Sequence, residues 1–111
     1  MRALCLVWTT PDREVARKMV FMYGANSLIK GWWDSVRLLV WGPTARLLAE
    51  DPELRPDIED LRAAGVELMA CKSCADSYDA SGALEDLGFR VIYTGEELTR
   101  MLQGDWTVLT V

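Results

Sequence analysis

The sequence predicts one α/β domain over residues 1–111, built on a five-stranded parallel sheet with helices on both faces. Short apolar segments alternate with segments of helical spacing along the chain, as they do where right-handed crossovers build a parallel sheet. The first apolar segment contains no polar residue, which is typical of a strand buried on both faces. The chain has 111 residues, the usual length of one domain.

The first strand is predicted at Ala3–Trp8, an uninterrupted apolar run. Thr10 as the N-cap and Pro11 at the first helical position then indicate the start of a helix. Apolar residues at helical spacing carry this helix to Tyr23, and the pattern fades before Gly31.

The second strand is predicted at 36–41, after which Gly42 and Pro43 break the apolar run and open a short helix. An acidic stretch follows, which we interpret as a solvated helix face and loop. The apolar stripe of the next helix ends at Gly65, a residue typical of a helix C-terminus. The third strand is then predicted at 66–70.

Residues 75–87 are predicted to be helical in parts, with Gly88 as the stop. The fourth strand is predicted at 89–93, and a further helix begins near Thr94. Residues 106–111 form the fifth predicted strand, so strands and helices alternate to the end of the chain.

Charge and hydropathy argue against several classes of function. The chain has 17 acidic and 12 basic residues and a net charge of −5, whereas nucleic acids and anionic membrane surfaces attract basic proteins. Its apolar runs are too short to span a bilayer, and the N-terminal run is predicted to be a strand and not a signal peptide. We therefore expect a cytoplasmic protein that binds neither nucleic acid nor membrane.

Histidine is absent, which excludes a Ser-His-Asp triad, a Cys-His pair and histidine metal ligands. Three cysteines, an odd number without an export signal, indicate free thiols in a reducing compartment. Cys5 lies in the first strand and is interpreted as a small buried hydrophobe. One Cys-x-x-Cys pair supplies too few ligands for zinc, so we expect neither a metal nor another cofactor.

The candidate site lies at the carboxyl ends of the strands, where open parallel sheets bind their ligands. Two tryptophans are expected to line a small-molecule pocket there, close to a cysteine pair. The candidate residues at these strand ends are Trp8, Thr9, Trp41, Gly42, Cys71, Lys72, Ser73, Cys74 and Thr94.

Cys71 is the candidate nucleophile. It is predicted to lie where a strand meets a helix, and the free N–H groups and partial positive charge of a helix N-terminus favour a thiolate. Lys72 is expected to add a cation nearby. The alternative is an inert, partly buried thiol.

Cys74 follows about one helical turn later, so its sulfur faces that of Cys71 if the segment is helical. It is then a resolving thiol that closes a disulfide on Cys71, or it packs under the helix. No proline follows Pro56, so the chain lacks the later cis-proline of a thioredoxin.

Trp32 and Trp33 lie between the first helix and the second strand and have two interpretations. They pack against the first helix, or they form a subunit interface, where aromatic residues are enriched. An oligomer would also protect the two edge strands of the sheet.

These features together resemble the DsrE/DsrF-like family of small sulfur-relay proteins, which includes TusD-type subunits. The resemblance covers nearly the whole chain, and its most specific part is 65–71, a Gly-Val strand that runs into Ala-Cys before a helix. It implies a three-layer α/β/α fold with a five-stranded parallel sheet. It also implies an oligomer, and we expect a homo-oligomer, either a trimer or hexamer or else a dimer.

Only Cys71 matches the sulfur-carrying cysteine of that family, so only Cys71 inherits its role. The resemblance implies that Cys71 accepts sulfane sulfur as a persulfide from a donor protein and passes it to an acceptor protein. Cys74 departs from the simplest family pattern, because a second thiol can attack the persulfide and release sulfide.

Three functions stay open. The first is persulfide transfer by Cys71, with Cys74 as a resolving thiol. The second is a non-catalytic oligomeric module that binds a small ligand between Trp8 and Trp41. The third is a thiol–disulfide switch formed by Cys71 and Cys74.

Overall fold

Five parallel strands form the sheet in the computed structural model, which describes residues 1–111, and they pair in the order β4-β3-β2-β1-β5. The predicted fold class is confirmed, because every strand pair is parallel and helices pack on both faces of the sheet. The strands are β1 (Ala3–Trp8), β2 (Ser35–Val40), β3 (Glu67–Cys71), β4 (Arg90–Ile92) and β5 (Trp106–Thr110).

Six helices connect the strands when the continuous helix α1, residues 13–29, is counted once. A wide π-helical stretch, Ala16–Phe21, interrupts the α-helical geometry of α1. None of the helices is both long and apolar enough to cross a lipid bilayer. The other helices are α2 (Thr44–Glu50), α3 (Arg55–Ala64), α4 (Lys72–Ser77), α5 (Ser81–Asp86) and α6 (Thr94–Gln103), and a 3-10 turn at Pro52–Leu54 precedes α3.

Helix α1 begins later than the sequence pattern indicates. Asp12 is its N-cap in place of Thr10, and the Asp12 Oδ1 accepts the backbone N–H of Val15 at 2.9 Å. Thr10 belongs instead to the turn after β1, where its carbonyl accepts the indole N–H of Trp8 at 2.9 Å. The turn therefore includes Pro11, which the sequence pattern placed inside the helix.

The helices are divided unevenly between the two faces of the sheet. The chain steps from β1 to β4 in one direction and returns to β5 in a single crossover, so right-handed connections place α6 on the opposite face from α1–α5. A large core joins the sheet to α1–α5. A smaller core lies under α6 and consists of Cys5, Val7, Leu39, Met69 and Met101.

A single arginine ties α6 to the sheet. Arg37 projects from β2 toward α6, and only 12% of its side chain is exposed. Its guanidinium is paired with Glu67 of β3 at 2.9 Å and with Glu97 of α6 at 3.3 Å. It also lies over the ring of Trp106 on β5, 4.3 Å from the ring centroid. Arg37 thus connects three strands with the helix that covers this face.

Two predicted helix ends are confirmed, and one stretch that was predicted to be helical forms parts of two separate helices. Gly65 and Gly88 end helices with φ of +101° and +98°, a region that residues with a Cβ rarely adopt. The predicted helical stretch 75–87 forms α4 and α5, because Asp79 adopts φ +53° between them. Helix α4 already begins at Lys72, so it follows β3 without a loop.

The acidic stretch does more than face solvent. Asp51 is largely buried and pairs with Arg13 at 2.7 Å, and Asp57 pairs with Arg17 at 2.9 Å. Both arginines lie on α1, so the carboxylates bind α1 to the segment before α3 and to α3 itself. The expectation of a purely solvated acidic face is therefore wrong for these two residues.

We expect Arg37→Met to lower the free energy of unfolding by about 1–2 kcal/mol, because it removes the charge shared by Glu67 and Glu97 while keeping most of the apolar stem. Arg90→Met is the matched control, since Arg90 also pairs with Glu67 but its side chain is 62% exposed. The free energy of unfolding of this control is expected to stay within about 0.5 kcal/mol of the wild-type value. Urea unfolding followed by tryptophan fluorescence measures both, and equal losses would contradict the role of Arg37.

Candidate functional site

The carboxyl ends of β2, β3 and β4 meet at one edge of the sheet and form the candidate site. The strand register pairs Val40 with Ala70 and Cys71 with Ile92. One residue beyond the first pair, Trp41 lies next to Cys71 at the spacing of neighbouring strands. Cys71 therefore stands between Trp41 and Ile92, with one strand on each side.

Cys71 lies at the junction of strand and helix that the sequence predicts. It is the last residue of β3 and the N-cap of α4, with extended backbone angles of φ −66° and ψ 116°. Its thiol is free, but only 5% of the residue is exposed. The candidate nucleophile is thus almost closed off from solvent.

Cys74 lies in the first turn of α4, and its sulfur faces Cys71 and Gly42. Burial and the neighbouring thiol of Cys71 raise the pKa of Cys74, whereas a hydrogen bond from the backbone N–H of Gly42 acts in the opposite direction. The residue is half-buried and its thiol is free. Cys74 therefore lies close enough to Cys71 for that thiol to affect its pKa.

The chain turns sharply at Gly42. Its φ of +74° lies in the left-handed region, which favours glycine. Thr44, which no sequence pattern distinguishes, holds this turn in place. Its buried hydroxyl donates to the carbonyl of Trp8 at 2.7 Å and lies 3.3 Å from the carbonyl of Trp41.

Lys72 and Ser73 complete the first turn of α4 without contributing a free charge to the cysteines. The Lys72 Nζ lies 3.1 Å from the Asp76 carboxylate on the same helix, and this hydrogen bond raises the pKa of Lys72. The expected cation beside Cys71 is therefore already paired with Asp76. Ser73 is exposed to solvent.

Trp8 and Thr9 do not belong to the site, although the sequence analysis included them. Trp8 is 0% exposed and packs edge-on against Phe21, with ring centroids 5.2 Å apart, on the face covered by α1–α5. Trp41 packs with the smaller core on the opposite face. The Thr9 hydroxyl donates to the carbonyl of Val111 at 3.1 Å, two strands away from Cys71. The expected pocket between the two tryptophans is therefore not formed.

Thr94 also fails to present its side chain at the site. It is buried at the start of α6, and no protein group hydrogen-bonds its hydroxyl. Its neighbour Tyr93 is the exposed residue at this strand end. Sequence reasoning gave no reason to prefer Tyr93, because adjacent residues of a strand end differ only in the direction they face.

A second aromatic residue borders the cysteines. Tyr78 donates its backbone N–H to the carbonyl of Cys74 at 3.2 Å, so the two residues lie one turn apart on the same face of α4. The guanidinium of Arg46 on α2 lies 5.5 Å from the centroid of the Tyr78 ring. This contact depends on the packing of α2 beside α4, and no sequence signal pairs the two residues.

The resulting site contains two neighbouring thiols, one buried and one partly buried. Two neighbouring thiols can pass a sulfur atom between them or close a disulfide. No group of three or more Cys, Asp or Glu side chains is arranged to hold a metal ion.

No protein-family model matches the sequence, and no curated protein matches it significantly. Solved structures with the same fold are known. BT1422 from Bacteroides thetaiotaomicron, a conserved protein of unknown function, is 28% identical with a TM-score of 0.94, over 98% of this chain and 94% of that chain.

Two further structures are more distant. YchN from E. coli is 22% identical with a TM-score of 0.73, and the match covers 100% of both chains. MTH1491 from Methanobacterium thermoautotrophicum, a protein of unknown function, is 22% identical with a TM-score of 0.69, over 99% of this chain and 98% of that chain. These similarities support the fold, and the resemblance to DsrE/DsrF-like proteins stays a prediction.

We expect Cys5 to be chemically inert in the folded protein. It is fully buried beneath α6, and burial raises its pKa to about 12, so almost no thiolate exists at neutral pH. Ellman's reagent should therefore modify Cys5 only after unfolding in guanidinium chloride, as followed by absorbance and peptide mapping. Modification of Cys5 under native conditions would contradict its assigned burial.

Proposed function

We propose that the protein is a cytoplasmic sulfur carrier in which Cys71 holds sulfane sulfur as a persulfide. The observation that supports this proposal most strongly is the pair of facing thiols at the carboxyl end of β3, with Cys71 buried and Cys74 half-exposed. The resemblance of 65–71 to the DsrE/DsrF-like sulfur-relay proteins supports the choice of sulfur as cargo. Three free cysteines fit a reducing compartment.

The transfer requires no oxidant. A thiolate of the carrier attacks the outer sulfur of a donor persulfide, the donor leaves as a thiolate, and the carrier becomes a persulfide. An acceptor thiolate then attacks the outer sulfur of the carrier persulfide, and the carrier cysteine leaves as a thiolate. Burial of Cys71 protects the stored sulfur from thiols in solution between these two steps.

A thiol–disulfide switch is the second candidate, and the contact between Cys71 and Cys74 favours it. An external disulfide would oxidise the pair to a Cys71–Cys74 disulfide and would itself be reduced to two thiols. The same disulfide arises when Cys74 attacks the inner sulfur of a Cys71 persulfide and hydrosulfide leaves. A switch therefore loses two hydrogen atoms, whereas a carrier gains a sulfur atom.

We further propose that the carrier is a homo-oligomer, a trimer or hexamer or else a dimer, that works with donor and acceptor proteins. Trp32 supports this proposal, because 46% of its surface is exposed and it lines a groove together with the exposed side chain of Met22. Trp33 fits the other interpretation of this tryptophan pair, which is packing against the first helix. It is half-buried, and its indole N–H donates to the Tyr23 hydroxyl at 3.1 Å.

Intact mass spectrometry after exposure to polysulfide tests the proposed function. The wild type is expected to gain the mass of a sulfur atom, to keep it through a brief wash with glutathione, and to lose it to excess dithiothreitol. Cys71→Ser should retain no sulfur after the wash. Cys5→Ala is the matched control and should load like the wild type, because Cys5 is buried away from the site.

Two other outcomes contradict the carrier. A wild type that loses two hydrogen atoms and gains no sulfur behaves as a switch. Retention of the full load by Cys71→Ser would exclude Cys71 as the storage site.

A further inference from the structure

We propose that Cys74, and not Cys71, is the thiol that meets the incoming sulfur donor, and that Cys71 receives the sulfur from Cys74 and stores it. The identity of the cargo rests on the proposed function. The order in which the two thiols react rests on the fold alone.

Exposure separates the two thiols. Cys71 is 5% exposed and is flanked by the ends of β2 and β4, whereas Cys74 lies on the first turn of α4 and is only partly buried. Attack on a sulfane sulfur requires the attacking sulfur, the transferred sulfur and the leaving sulfur to lie nearly in line. A donor can achieve this alignment at a thiol that solvent reaches, and the strands on both sides obstruct it at Cys71.

The backbone around Cys74 suits a sulfur that changes charge. The backbone N–H of Gly42 lowers the pKa of Cys74 and so favours its thiolate, which forms when Cys74 attacks and again when it leaves. The pKa of Cys74 is raised overall, so the resting pair keeps a proton on Cys74, and the Gly42 N–H acts during the reaction.

The proposed sequence consists of two balanced transfers. The Cys74 thiolate attacks the outer sulfur of a donor persulfide, the sulfur–sulfur bond of the donor breaks, and the donor leaves as a thiolate that takes up the proton lost by Cys74. The Cys71 thiolate then attacks the outer sulfur of the Cys74 persulfide, and Cys74 leaves as a thiolate. No electrons leave the system, because each step moves one sulfane sulfur between two thiolates.

Alkylation tests the order of the thiols without any sulfur donor. The protein is treated with less than one equivalent of iodoacetamide, which forms permanent thioethers, and trypsin cleavage after Lys72 separates Cys71 from Cys74. We expect Cys74 to be labelled at least about tenfold faster than Cys71. In Cys71→Ser, labelling of Cys74 should be at least as fast as in the wild type, because the loss of Cys71 lowers the pKa of Cys74. Faster or equal labelling of Cys71 would overturn the proposal.

A second arm follows the kinetics of sulfur uptake from polysulfide. Cys74→Ser is expected to load Cys71 about tenfold more slowly than the wild type and to reach the same final load. Cys71→Ser should capture sulfur at least as fast as the wild type and lose it in the glutathione wash. Loading of Cys74→Ser at the wild-type rate would also overturn the proposal. If alkylation prefers Cys74 and no variant takes up sulfur, the proposed function fails and the order of the thiols stands.

Discussion

The parallel pairing of β2 with β3 is the constraint on which the site depends. It aligns the ends of the two strands, so the turn after β2 brings Gly42 close to Cys74 and sets Trp41 beside Cys71. The hydroxyl of Thr44 ties that turn to β1 through the carbonyl of Trp8. On the opposite face, the network around Arg37 holds α6 over the same strands.

Much of the fold follows from local patterns in the sequence. The strand β1 has its predicted bounds because all six of its residues are apolar and buried. Gly65 ends α3 as predicted because only glycine accepts the left-handed conformation there without cost. The start of α1 differs from the prediction because the indole N–H of Trp8 donates to the carbonyl of Thr10 in the turn after β1, and Asp12 is the N-cap.

The candidate site was only partly predictable for a related reason. The sequence places residues at strand ends, but the register decides the face toward which each side chain points. Trp8 pairs with Val40, so both face the large core under α1–α5, whereas Trp41 lies one residue further on and faces the other way. The cysteines were easier to place, since Cys71 ends its strand and the helix spacing brings Cys74 back to it.

The account depends on Cys71 and Cys74 interacting with each other, and a titration of the Cys74 thiol tests this most directly. Carbon-13 labelling of the cysteine Cβ atoms reports each thiol separately by NMR as the pH rises. We expect the pKa of Cys74 to lie above its ordinary value in the wild type and to fall in Cys71→Ala. The fall is expected because the hydrogen bond and the charge of Cys71 both raise it, while the burial that remains keeps part of the shift. The same pKa for Cys74 in the wild type and in Cys71→Ala would contradict an interaction between the two thiols.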